Sequence, residues 1–232
     1  MTNEPESDLP ATSWREAAVA RSLDSARARA EARVQRFLDA ALELMNDNET
    51  GKEFTVQEVV ERSGQSLRSF YQYFGGKQEL LLALFEESVR TTAETIEREL
   101  VEEDDPLERL HVFVLEYYRL CLPSPKGKKA GKKPPSRALA EFAQQLLTAQ
   151  PAAAARAFAP LVELFEEVLD GAIAAGAVRD DLPRRRAAGV LLEAIMFNAF
   201  ATTIGGLSAQ DSSGDPAEEL WSLLFLGMAT PA

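Results

Sequence analysis

Apolar residues in this chain recur at steps of three and four, and strand-like alternation is absent. That spacing draws one apolar stripe along a helix, whereas a half-buried strand needs a period of two, so the chain is restricted to an all-α fold. From Ala28 the stripe runs through Val34, Phe37, Leu38, Ala41, Leu42 and Met45, until "NDNETGKEF" breaks it. Thr55, followed three residues later by Glu58, has the pattern of a capping box. It predicts a second helix that starts at Thr55, buries Val56, Val59 and Val60, and ends at Gly64. Ser66 is placed to cap a short third helix that Gly75 and Gly76 stop. A long fourth helix begins near Lys77 and carries Leu80, Leu81, Leu84, Phe85, Val89, Ile96 and Leu100.

Beyond "EEDDP" the pattern stays helical. Pro106 sits in a first turn ahead of the stripe Leu107, Leu110, Val114, Tyr117, Tyr118, Cys121. Further helices are expected at 136–149, at 152–175 with Pro160 inside as a kink, at 183–205 and at 216–229. The total is about nine helices. Residues 1–26 are polar, hold Pro5 and Pro10, and read as a flexible tail in which Trp14 is an oddity. "PSPKGKKAGKKPP" cannot hold a helix and reads as a mobile loop, its lysines at 126–133 leaving a second phosphate-binding site as the alternative.

Composition removes several classes of function. The single cysteine, Cys121, excludes an internal disulfide and a cysteine metal cluster, and the single histidine, His111, removes most hydrolase triads. Both read as core or surface residues of one helix. Asp180 and Asp181 form the best carboxylate pair, but at a helix junction they read as caps. No catalytic residue, metal site or cofactor is expected, and the chain reads as not an enzyme. It lacks an apolar run of membrane-spanning length and its first twenty residues are acidic, which points to the cytoplasm and away from a membrane partner. The net charge of −12 argues against a nucleic-acid partner at first sight. However, residues 26–80 carry eight Lys and Arg against nine Asp and Glu, so this segment is nearly neutral and can present a basic face.

Three helices, the last two joined by a short turn with a glycine, describe a helix-turn-helix. At about 100° per residue the third helix sorts into three faces. Phe70 and Phe74 form an apolar face that belongs against the first two helices. Arg68, Tyr71 and Gln72 present a guanidinium, a phenol and an amide able to read base edges, and Ser69 and Tyr73 offer hydroxyls suited to phosphate oxygens. Leu67 lies on the border between packing inward and touching a thymine methyl. The plainer alternative is a solvated amphipathic helix.

The run "FTVQEVVERSGQSLRSFYQYFGGKQELLLALFEE" resembles the DNA-binding signature of the TetR family of bacterial transcription regulators, over about residues 28–87. "LDGAIAAGAVRDDLPRRRAAGVLLEAIMFNAF" is similar to the stretch that joins the family's seventh and eighth helices. The resemblance implies a helix-turn-helix DNA-binding domain at 27–76 and an effector-binding and dimerisation domain at 77–232, with double-stranded DNA, a small effector and a second copy as partners. Carried over position by position, it implies that Thr55 touches phosphate, that Leu67, Arg68 and Tyr71 face bases, and that Ser69, Tyr73 and Lys77 hold the backbone. Ser66 and Gln72 complete the DNA-binding set. Two departures stand out: Gln65 occupies a turn position where the family has a packed valine, which implies either a more polar turn or a Gln65 that itself reaches phosphate, and glycines at 75 and 76 replace the usual cap of the fourth helix.

For the dimer interface the apolar residues Leu191, Leu192, Ile195, Phe200, Leu220, Leu223, Leu224 and Leu226 are the candidates, with a plain core reading as the alternative. For an apolar effector pocket they are Phe113, Tyr117, Phe142, Phe165, Met196 and Phe197. The function expected is an effector-responsive repressor released from a palindromic operator by a lipophilic ligand. The alternative is a helical ligand-binding or protein-interaction module that does not bind DNA.

Overall fold

The computed structural model describes residues 14–47, 54–122, 137–205 and 214–228. Among them are nine helices and no strand. These are α1 (Trp14–Asp47), α2 (Val56–Ser63), α3 (Leu67–Tyr73), α4 (Lys77–Leu100), α5 (Pro106–Cys121), α6 (Arg137–Ala149), α7 (Pro151–Ala174), α8 (Arg184–Gly205) and α9 (Pro216–Met228). The lysine-rich segment 126–133 and residues 1–13 lie outside the described residues.

Local signals set most of the boundaries. Thr55 caps α2 in a reciprocal box: its hydroxyl accepts from the Glu58 amide at 3.3 Å while Glu58 Oε2 accepts from the Thr55 amide at 2.7 Å. Gly64 ends α2 in the left-handed region with φ 65°, where a side chain would be strained. Ser66 caps α3 by accepting from the Ser69 amide at 3.1 Å. Asp105 caps α5 ahead of Pro106, and Arg109 turns back to donate to the last carbonyl of α4, that of Leu100, at 2.6 Å.

One boundary is corrected. The expected tail up to residue 26 is helical from Trp14, so α1 is 34 residues long. The apolar stripe of its core-facing half is not what forms the first half. Residues 14–36 hold no glycine or proline and are rich in alanine and arginine, which favour helix intrinsically, and the exposed Arg27–Glu31 pair at 2.7 Å adds an i,i+4 contact. Trp14, Val19 and Leu23 on this half are exposed.

The core is one continuous cluster. In the first three helices it is built on Phe37, Phe70 and Phe74, whose rings meet edge to face or tilted with centroids 5.4–6.1 Å apart. α4 carries this core into the remaining helices, packing on α1 at one end and on α5, α6 and α7 along its length, with Leu80, Leu84, Phe85, Val89, Ile96 and Leu100 buried. α9 is fastened to α5 by His111, which lies between Glu218 (Nε2 to Oε2, 2.9 Å) and Glu108 (Nδ1 to Oε2, 3.3 Å) with its ring 4.9 Å from that of Trp221.

The contrast between Phe70, fully buried, and its neighbour Tyr71, 59% exposed, yields a stability prediction. Phe70→Ala should lower the unfolding free energy by about 3–5 kcal/mol, while Tyr71→Ala should change it by less than about 0.5 kcal/mol. Urea denaturation of the two variants checks both values.

Candidate nucleic-acid interface

α3 is seven residues long, too short to be stable alone, and depends on its buried face for position. With Phe70 and Phe74 in the core, Arg68, Tyr71 and Gln72 are exposed together on the opposite side, as the wheel anticipates. Leu67, left open by periodicity, is 42% exposed and stands on the outward side. Tyr73 is half-buried and its ring packs against the core, so less of it is available than of Tyr71. The Ser69 hydroxyl is buried and has no hydrogen-bond partner among the described residues.

Other expected contacts are already engaged. The Thr55 hydroxyl donates to Glu58 Oε2 at 2.9 Å, so its proton serves the cap, and a carboxylate stands where a phosphate was expected. Ser66 also caps a helix, but as an acceptor, which leaves its proton to donate. Gln65 does not point away from the domain: its Nε2 donates to the Arg33 carbonyl of α1 at 2.8 Å, clamping the turn to the first helix. The amide of Gly75 donates to Glu79 Oε2 at 2.6 Å, so α4 supplies an anion to its own start in place of the usual cap. The Lys77 ammonium lies 4.8 Å from the centre of the Phe54 ring.

Between α1 and α3 lies an open cleft of about 420 Å³, lined by Arg33, Arg36, Gln65, Arg68, Ser69 and Gln72 among others. Arg33 and Arg36 were not among the expected contacts. The signal that finds them is the spacing of Arg29, Arg33 and Arg36, which puts three guanidiniums on one face of α1.

Farther from α3 the expected pocket set divides. Tyr117 and Met196 line a small cavity of about 40 Å³ with Phe85, Ser88, Thr92 and Cys121. Phe113 and Phe165 are core, their rings 4.8 Å apart between α5 and α7, and Phe142 packs edge-on to Phe85 at 6.3 Å. Phe197 is 41% exposed on α8 and is not among the residues that line the cavity. The expected interface set divides likewise. Leu191, Leu192, Ile195 and Phe200 are buried within the protomer, and Leu220 and Leu224 are half-buried against its core. Leu223 and Leu226 are exposed at 73% and 78%, and Val190 joins Phe197 as exposed apolar surface on α8.

Residues 37–84 match the model for bacterial regulatory proteins of the tetR family. This segment is a tetR-family domain. The helices that follow it extend the likeness to solved structures. FadR from Thermus thermophilus, a TetR family transcriptional repressor in complex with lauroyl-CoA, is 24% identical with a TM-score of 0.58, over 86% of this chain and 96% of that one. FadR from Bacillus subtilis in complex with stearoyl-CoA is 19% identical with a TM-score of 0.60, over 83% and 96%. A gamma-butyrolactone receptor (ArpA-like protein) is 22% identical with a TM-score of 0.52, over 87% and 90%. No curated protein matches the chain in sequence. At these identities the whole-chain likeness is one of fold, and it places the TetR-family domain on a helical body of matching architecture. No helix among the described residues is long and apolar enough to cross a membrane.

Burial decides the chemistry of the cavity. It pushes the Cys121 thiol up from 9.0 to about 12, only partly offset by the hydrogen bond from Tyr117, and the same burial raises the Tyr117 phenol well above its usual value. The thiol is therefore neutral and unreactive at physiological pH. Native protein at pH 8 should resist iodoacetamide and react at Cys121 once unfolded, a difference read by mass spectrometry. The sign of the linkage follows: above 9.0 an unfolded thiol releases its proton while the folded one keeps it up to about 12, so stability should fall as pH rises through that window. A Cys121→Ser variant should lose that part of the slope.

Proposed function

We propose that the protein is a dimeric, sequence-specific DNA-binding regulator whose affinity for an inverted-repeat operator is changed by a small lipophilic effector. The observation that carries this reading is the α3 face of Arg68, Tyr71 and Gln72, exposed side by side on a helix whose other face is locked into the core. Arg68 is suited to a bidentate guanine contact, Tyr71 and Leu67 to neighbouring base edges, and Ser66, Ser69, Tyr73 and Lys77 to the backbone. Thr55 and Gln65 take structural roles in this reading.

The effector reading rests on how α4 is placed. Phe85, Ser88, Val89 and Thr92 of α4 line the 40 Å³ cavity, and the N-terminus of the same helix follows α3 after only three residues. A volume of that size holds about one water, so an effector must enlarge it, and α4 is the wall that leads to α3. The lining is mainly apolar with hydroxyls at Ser88 and Thr92, which favours an apolar molecule with few polar atoms. An effector that prefers one α4 position by about 3 kcal/mol would change operator affinity more than a hundredfold. Release on binding, as for a repressor, is the direction proposed.

For dimerisation the exposed Val190 and Phe197 of α8 and Leu223 and Leu226 of α9 are the proposed surface, replacing the buried leucines of α8. Leu226→Asp should give a monomer in sedimentation equilibrium with an unchanged helical spectrum. A persisting dimer would move the interface elsewhere.

Selection of bound duplexes from a random pool tests the main reading: an inverted repeat is expected, with recognition helices about one helical turn apart. Arg68→Ala should then cost about 1–3 kcal/mol and relax preference at one base pair per half-site. Failure to retain any duplex at low salt would favour a helical ligand-binding module instead.

A further inference from the structure

Arginines of the described residues differ in whether a carboxylate holds them. Arg27, Arg62, Arg90 and Arg119 are each held by a carboxylate. Arg33, Arg36 and Arg68 pair with no carboxylate among the described residues, and all three line the cleft between α1 and α3. Among the described residues no acidic side chain contributes to that lining, although the chain as a whole carries a net charge of −12. Unpaired guanidiniums facing one another across a gap repel, an arrangement that an anion relieves.

Two further features point to an oxyanion. Ser69 is one of the residues lining this cleft, and its buried hydroxyl has no hydrogen-bond partner among the described residues, so a donor is held there without an acceptor. The Gln65 amide bonds the Arg33 carbonyl at 2.8 Å, which fixes α1 against the turn and sets the width of the cleft at the residue that supplies one of its charges. The cleft is open rather than enclosed and lies beside the exposed face of α3, so its occupant belongs to a polymer that runs past that face.

We propose that the cleft is a phosphate-binding site for the DNA backbone, in which Arg33 and Arg36 of α1 and the hydroxyl of Ser69 hold a phosphodiester of the strand flanking the groove that α3 reads. Arg68, at the same cleft, bridges from this backbone contact to the base edge. The proposal rests on the DNA-binding reading and adds to it a contact surface on α1 that carries charge but no sequence information.

The test uses the full chain and a duplex selected by the unaltered protein. Binding is measured as a function of salt for the unaltered protein, for Arg33→Gln/Arg36→Gln, for Arg33→Lys/Arg36→Lys, and for Arg156→Gln, which removes a charge from the exposed face of α7. Thermal melts establish that each variant is folded. The Gln pair should weaken binding tenfold or more, by about the same factor on every duplex, and make the slope of log affinity against log salt shallower by about one to two. The Lys pair should keep the slope and Arg156→Gln should change neither quantity. A Gln pair with unaltered affinity and slope overturns the cleft and leaves the DNA-binding reading standing. Relaxed preference at particular base pairs would also overturn it, by making these arginines base contacts. If the unaltered protein retains no duplex, the DNA-binding reading falls and the cleft proposal with it.

Discussion

Everything proposed for DNA depends on the contact of Phe70 and Phe74 with Phe37. A helix of seven residues has too few internal hydrogen bonds to offset the cost of nucleation, so its position is decided by what it buries. The aromatic cluster buries the whole inner face of α3 and leaves the outer face no freedom to rotate. Its polar residues are therefore presented together because their neighbours are held, and the four aromatics of this short stretch divide between the two jobs: Phe70 and Phe74 inside, Tyr71 outside, Tyr73 with its ring against the core and only part of it accessible.

The same continuity of packing gives α4 its place in the mechanism. One end of it packs with the helix-turn-helix core and its middle forms a wall of the small cavity, with no gap in the buried stripe between Leu80 and Leu100. Close-packed helices transmit displacement because they lack voids into which a shift could dissipate. In the proposed mechanism an effector that enlarges the cavity acts on a rigid element that begins three residues after α3.

Charge is distributed by pairing more than by composition. Carboxylates hold several of the described arginines, whereas the guanidiniums of Arg33, Arg36 and Arg68 around the α1–α3 cleft pair with none among the described residues. The net charge of −12 is thus a poor guide to what the surface near α3 attracts, since a phosphate within a few ångströms responds to local unpaired charge, and more distant carboxylates are screened at physiological salt.

Much of the fold was legible in the order of residues. Thr55 with Glu58, Gly64, Ser66 and Pro106 mark helix ends through hydrogen bonds or backbone angles that span three or four residues, so the information is local and the boundaries follow from it. The division of α3 into faces was legible for the same reason. What no local pattern contains is which apolar residues find cover and which polar groups find distant partners. Leu191 and Leu223 look alike in sequence, yet one is inside the protomer and the other is exposed, because only one lies on a side of its helix that other helices cover. Gln65 is bonded to a carbonyl 32 positions away, and Arg33 and Arg36 reach the site only because the Phe37 to Phe70 contact brings α1 alongside α3. The sequence by itself determined where most helices begin, end and turn their apolar side, the start of α1 excepted. Tertiary packing alone decided which of those sides remain open to a partner, because burial is set by contacts between segments far apart in the chain.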